Sequence, residues 1–180
     1  MTNNIDQWYQ EALAHHHQGH FQQAEGLYRQ ILLQKPDHTH ALHLLGLIAY
    51  QDQHYETAQE LIEQAIQINP EVAHYYNNLG NVFMDQHKVQ EAIQIYQKAI
   101  ELNPQFAEAL NNLGNAFLHI KKIPEAIHSL EQALQLKPNY PEAFNNLGNA
   151  YLDQENAEQA QKYYEASVRL DSRFAEGYVS

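Results

Sequence analysis

Pro36, Pro70, Pro104 and Pro138 recur every 34 residues, and Gly46, Gly80, Gly114 and Gly148 keep the same interval ten residues after each. A fixed period of this length makes each repeat a supersecondary element that cannot bury its own apolar face, so a core forms only when neighbours stack. With the proline at position 32, the repeats run 5–38, 39–72, 73–106, 107–140 and 141–174, the last with Ser172 in place of proline, and 175–180 begins a sixth. The even apolar fraction gives no linker, so residues 1–180 are expected to form one array.

Within a repeat the apolar residues fall at helical spacing, as in Leu110, Leu113 and Phe117, then Ala126, Leu130, Ala133 and Leu134. Each repeat therefore reads as two helices. The first begins near position 2 and loses its pattern near position 14; the second begins near position 18, where Pro124 suits a first turn, and ends at the proline. The architecture expected is an all-α solenoid of antiparallel helix pairs, with five repeats and a truncated sixth.

Composition narrows the partners. Ten Lys and Arg against 22 Asp and Glu give a formal charge of −12. That balance opposes binding to phosphate backbones, which depends on clustered cations releasing counterions. Nucleic acid and anionic membranes are thereby excluded as expected partners. No apolar run approaches the roughly 18–20 residues that span a bilayer, and Met1-Thr2-Asn3-Asn4 lacks the basic and apolar regions of a leader. The absence of cysteine fits a reducing compartment, and the chain is expected to be cytoplasmic.

Trp8, Leu45-Gly46, Leu79-Gly80, Leu113-Gly114, Ala58, Ala92, Ala126 and the prolines resemble the tetratricopeptide repeat signature over nearly the whole chain, a resemblance that implies a right-handed superhelical solenoid. Its small residues have a packing reason: Gly at position 8 and Ala at positions 20 and 27, the latter Ala65, Ala99 and Ala133, let two helices approach closely. The first repeat departs from the pattern with Glu11, His15 and Ile31, as expected of a polar N-terminal cap. The stub Ala175–Ser180 restarts a first helix and implies a fragment of a longer protein, leaving Tyr164, Val168, Phe174 and Tyr178 either as an apolar edge through which copies of the chain associate or covered by the stub in a monomer.

In tetratricopeptide arrays, the resemblance implies, positions 2, 5, 6, 9, 12 and 13 of each first helix face a concave groove. Here those positions bring Asn77, Asn78, Asn81, Asn111, Asn112, Asn115, Asn145, Asn146 and Asn149 into register across three repeats. Asparagine is a mediocre helix former, so its repetition calls for another reason. An amide offers one donor group and one acceptor, matching a peptide bond, and helices spaced by roughly 8–10 Å place such amides at every second or third residue of an extended chain. The pattern is similar to the asparagine ladder in the arms of O-linked N-acetylglucosamine transferases, where position 6, here Asn78, Asn112 and Asn146, holds the substrate main chain. The opening repeats also look like the N-terminal arrays of SPINDLY-type glycosyltransferases. Equally, these asparagines can bond within or between helices.

Glu108, Glu142 and Glu176, recurring at position 2, with Asp85 and Asp153, make the groove acidic and favour a basic or polar peptide, although a first-turn Glu is also stabilised by the helix dipole alone. His43, Leu44 and Leu47 interrupt the ladder and leave its N-terminal end more apolar. The groove lacks the Lys and Arg at positions 2, 5 and 6 with which chaperone-tail binders hold a carboxylate.

Of twelve histidines, seven lie between His15 and His43. A metal is not expected, because the triplet His15–His17 ends one helix while His40 and His43 begin the next, about 15 Å apart along the axis. Solvated imidazoles titrating near their reference value of about 6.5 are expected instead. No nucleophile motif, paired-carboxylate cleft or phosphate loop is present, and neither an enzyme nor a cofactor is expected. The reading reached from sequence is a non-catalytic scaffold for an extended peptide, with a glycosyltransferase's recruiting arm and a self-assembly module as alternatives.

Overall fold

The computed structural model describes residues 2–170. The readings placed on Ser172, Phe174, Glu176, Tyr178 and the 175–180 stub lie outside the described residues. Ten helices follow one another: α1 (Thr2–His17), α2 (Phe21–Gln34), α3 (Thr39–Gln51), α4 (Tyr55–Ile68), α5 (Ala73–Asp85), α6 (Val89–Leu102), α7 (Ala107–His119), α8 (Ile123–Leu136), α9 (Pro141–Asp153) and α10 (Ala157–Leu170). The described residues contain no strand. None of these helices is long and apolar enough to cross a membrane.

The chain divides into two compact units, residues 1–87 with α1–α5 and residues 88–180 with α6–α10. In the first, α1 packs on α2, α2 on α3, α3 on α4, and α5 on both α3 and α4. In the second, α6 packs on α7, α7 on α8, α9 on α7 and α8, and α10 on α9. Each unit holds its own core. One gathers Ala12, Ala24, Tyr28, Ile31, Ala41, Leu45 and Ile48, and the other Leu110, Leu130, Ala133, Tyr140, Ala143 and Leu147.

The second helices stop before the prolines, a residue or two earlier than the sequence suggested. Asn69 and Asn103, each directly ahead of a proline, sit at φ −135°, ψ 90° and φ −138°, ψ 92°. The following ring forbids the helical region to the residue before it, so the helix ends there by steric necessity. Pro124 lies in the first turn of α8, where no backbone donor is lost.

The position-8 glycines are contact points. A Cβ on Gly46 would lie 2.8 Å from Cγ1 of Ile62, and one on Gly114 would lie 2.6 Å from Cγ of Leu130. Both neighbours are fully buried, so the close approach read from the sequence is real and tight.

Turns within each pair repeat one geometry. Gly19, Gln53, His87, Lys121 and Glu155, all at position 15, adopt φ of 75°, 61°, 61°, 58° and 60°. The amide of Gln53 donates to the Tyr50 carbonyl (2.9 Å) and that of His54 to Ala49 (2.8 Å), and Glu155 and Asn156 do the same to Leu152 and Tyr151 (2.9 Å each). These paired bonds close a Schellman motif, which needs a left-handed residue and favours glycine. Only the first repeat supplies one. Gln53→Gly and Glu155→Gly are each expected to raise stability by roughly 0.5–1 kcal/mol, read as an upward shift of the urea midpoint; an unchanged or lower midpoint refutes this.

Candidate functional site

Each unit carries its own candidate face on its first helices, α3 and α5 in one and α7 and α9 in the other. Position 5 is polar on all four, yet on three of them it is buried: His43 is 8% exposed, Asn77 1% and Asn111 6%. Its fourth occupant, Asn145, is exposed. Asn78, Asn112 and Asn146 at position 6 are half-buried, as are Asn81 and Asn115 at position 9, whereas Asn149 is exposed.

Position 5 of one repeat reaches position 6 of the next. Nδ2 of Asn78 lies 2.8 Å from Nε2 of His43, and Nδ2 of Asn146 donates to Oδ1 of Asn111 at 3.0 Å, each pair 35 residues apart. Asn111 in turn donates from Nδ2 to Oδ1 of its neighbour Asn112 (3.4 Å). The structure thus brings position-6 amides together with their position-5 supports inside each unit. For Asn78 and Asn146 one edge of the amide is pinned, and Oδ1 has no partner among the described residues.

The acidic residues behave in two ways. Asp85 and Asp153 at position 13 are tied to preceding repeats, Asp85 accepting from the Tyr50 hydroxyl (2.6 Å) and Asp153 accepting from the Lys121 ammonium with both carboxylate oxygens (2.9 Å each). Burial and the bond to Asp85 together hold the Tyr50 phenol protonated well above its ordinary range. Glu108 and Glu142 are exposed, and both act on Tyr140, which burial first and these two carboxylates second push up to about 12. Lys137 covers the Tyr140 ring at 4.0 Å. In the C-terminal unit the face therefore carries negative potential beside its amides.

The N-terminal unit differs. Tyr9 meets His38 (5.1 Å between centroids) and His40 (6.2 Å), and His43 lies against Tyr75 (4.5 Å). The expectation of solvated histidines fails here. Burial, then His40, His74 and His16, push His43 down to about 4, and burial lowers His16 and His38 as well. Nothing in one repeat alone revealed that Tyr75 of the next repeat lies against His43. Among the described residues no group of three or more His, Cys, Asp or Glu is disposed to hold a metal ion.

On the last described helix pair, Tyr164 packs under Gly148 and its hydroxyl donates to Oδ1 of Asn149 (2.8 Å). With Leu152, Ala157, Ala160 and Val168 it lines an apolar concavity of about 640 Å³.

This geometry has relatives. The TPR repeat family model matches residues 80–121 and 119–155, and a tetratricopeptide repeat model matches 141–174. The model for anaphase-promoting complex, cyclosome, subunit 3 matches residues 17–99. Among solved structures, MamA protein is 23% identical with a TM-score of 0.80, over 100% of this chain and 98% of that one. PilF of Pseudomonas aeruginosa is 23% identical with a TM-score of 0.82, over 98% of this chain and 85% of that one. YrrB, described as a TPR protein with an unusual peptide-binding site, is 22% identical with a TM-score of 0.73, over 94% of this chain and 89% of that one. At these identities the likeness is one of fold. No curated protein matches the chain.

Proposed function

Because the chain carries tetratricopeptide repeats, we propose that it is a non-catalytic protein-interaction scaffold whose first helices hold an extended peptide by its main chain. The observation that carries this reading is the pinned amide. Asn78 and Asn146 are each fixed through Nδ2 by the preceding repeat, with Oδ1 left to accept from a ligand N–H. A side chain already immobilised loses little further entropy when a ligand arrives, so its bond contributes more to affinity. Amides recognise any peptide bond, which makes the binding tolerant of ligand sequence.

On this reading buried Asn111 is a support, Asn78, Asn112 and Asn146 at position 6 make the primary contacts, and Asn81, Asn115 and Asn149 at position 9 add to them together with the exposed position-5 Asn145. Glu108 and Glu142 favour Lys or Arg in the ligand, since an exposed carboxylate pair attracts cations without excluding neutral residues. That YrrB is described as peptide-binding agrees with this use of the fold. Nothing among the described residues favours a glycosyltransferase's recruiting arm over a free-standing scaffold.

The test is a displayed library of extended peptides selected against the protein, with affinities then measured for a triple variant, Asn78→Ala, Asn112→Ala and Asn146→Ala. Selected peptides are expected to be rich in basic residues and to lose at least about tenfold in affinity to the triple variant, each lost bond being worth roughly 0.5–1.5 kcal/mol. Undiminished affinity in a triple variant with native helix content would dismiss the reading.

A further inference from the structure

The two ties between position 5 and position 6 are the same joint built from different chemistry. In the C-terminal unit it is amide to amide, Asn146 to Asn111; in the N-terminal unit it is amide to imidazole, Asn78 to His43. We propose that His43 makes the joint between α3 and α5 a proton-sensitive latch, closed when the imidazole is neutral and loosened in acid, while the corresponding joint between α7 and α9 is indifferent to pH.

An amide nitrogen only donates, so Nε2 of His43 facing Nδ2 of Asn78 at 2.8 Å must offer its lone pair. A proton on Nε2 removes that acceptor and sets N–H against N–H. Turning the Asn78 amide over restores an oxygen acceptor, but it leaves an imidazolium in a site that is 8% exposed, against the Tyr75 ring. Burying a charge is costly unless it is paired.

Among the described residues, the groups that act on His43 supply no pairing charge. Acting on His43 are His16 from α1, His40 from its own helix and His74 from α5, and each of these adds repulsion once protonated. Tyr75 presents a ring face, and Tyr28 of α2 is a buried phenol whose hydroxyl has no partner among the described residues. From α4, Tyr55 faces Tyr50 at the far end of α3, and Glu63 accepts from Gln59.

The sign follows from comparing the two states. Closed, the imidazole is held down to about 4 by burial and by those histidines. Opened to water it returns to roughly 6.5, so between these limits the open form binds more protons and is favoured as pH falls. Asn111 and Asn146 have no proton to gain in this range.

Hydrogen exchange of the intact protein tests this. After correction for intrinsic rates, protection of α3 and α5 is expected to fall by about tenfold between about pH 7 and about pH 5, while α7 and α9 hold theirs. His43→Asn, which copies Asn111, is expected to abolish the drop. Equal corrected protection of α3 and α5 at both pH values, or the same drop in His43→Asn, overturns the latch. Should His43→Asn fail to fold, an NMR titration of the wild-type ring decides: a midpoint below about 5.5 supports the latch, and one at or above the reference value of about 6.5 overturns it.

Discussion

Gly114→Ala is expected to lower the unfolding free energy by about 1–3 kcal/mol, the usual cost of forcing a methyl into a filled core. In most helices the same change is favourable, since Ala exceeds Gly in helix propensity by about 0.8–1 kcal/mol. The sign reverses here because the new Cβ would meet Leu130 at Cγ (2.6 Å) and Cδ2 (2.9 Å) and the Ala126 carbonyl oxygen at 3.3 Å. Leu130 is fully buried in the core of the C-terminal unit and has nowhere to retreat. Gly148→Ala meets the Tyr164 ring at 2.5 Å, but Tyr164 is half-buried and can swing, so its cost is expected to be smaller. A double-mutant cycle identifies the cause. Leu130→Ala alone should cost about 2–5 kcal/mol through the cavity it leaves, and Gly114→Ala added to it should cost little or nothing, because the clashing atoms are gone. Urea unfolding of the four proteins measures this; equal penalties for Gly114→Ala in both backgrounds would mean that contact with Leu130 is not the reason for the glycine.

Features fixed by steric rules were the legible ones. The prolines ended second helices through a local clash, and the glycines marked close approaches because no other residue lacks a Cβ. Both could be read from single positions. The left-handed turns were not, since Gln53, His87, Lys121 and Glu155 carry no turn signature and are driven into that conformation by the two helices they join. The amide ties were legible only as the alternative that the asparagines bond within or between helices, without their partners. A period of 34 says which residues stack, but the bonds from His43 to Asn78 and from Asn111 to Asn146 span 35, one repeat plus one residue, and depend on how far a side chain reaches between helices. One signal was present: position 5 is polar in the second, third and fourth repeats although it neighbours Leu42, Tyr76 and Leu110, all buried. A polar residue kept at a covered position needs a partner, and the polar run at position 6 of the next repeat was the place to find it.

Asn111→Leu is expected to weaken peptide binding by about tenfold, comparable to removing a contacting asparagine, although Asn111 itself is 6% exposed. Asn111 orients two position-6 amides at once, accepting from Asn146 at 3.0 Å and donating to Asn112 at 3.4 Å. Without it the Asn146 side chain regains its rotamers, and fixing it again on binding costs about 0.5–1.5 kcal/mol. Both Asn111→Leu and Asn111→Ala deprive the Asn146 donor of this acceptor, but leucine keeps the volume buried whereas alanine also leaves a void, so Asn111→Leu should cost less stability than the alanine variant, for which about 1–3 kcal/mol is expected. Titration of the selected peptides against Asn111→Leu and Asn146→Ala, alone and together, separates the alternatives. If Asn111 acts by orienting Asn146 and Asn112, the double variant loses less than the sum of the two. Full affinity in Asn111→Leu would mean that an unpinned amide serves as well as a pinned one, and the preorganised face would no longer explain binding.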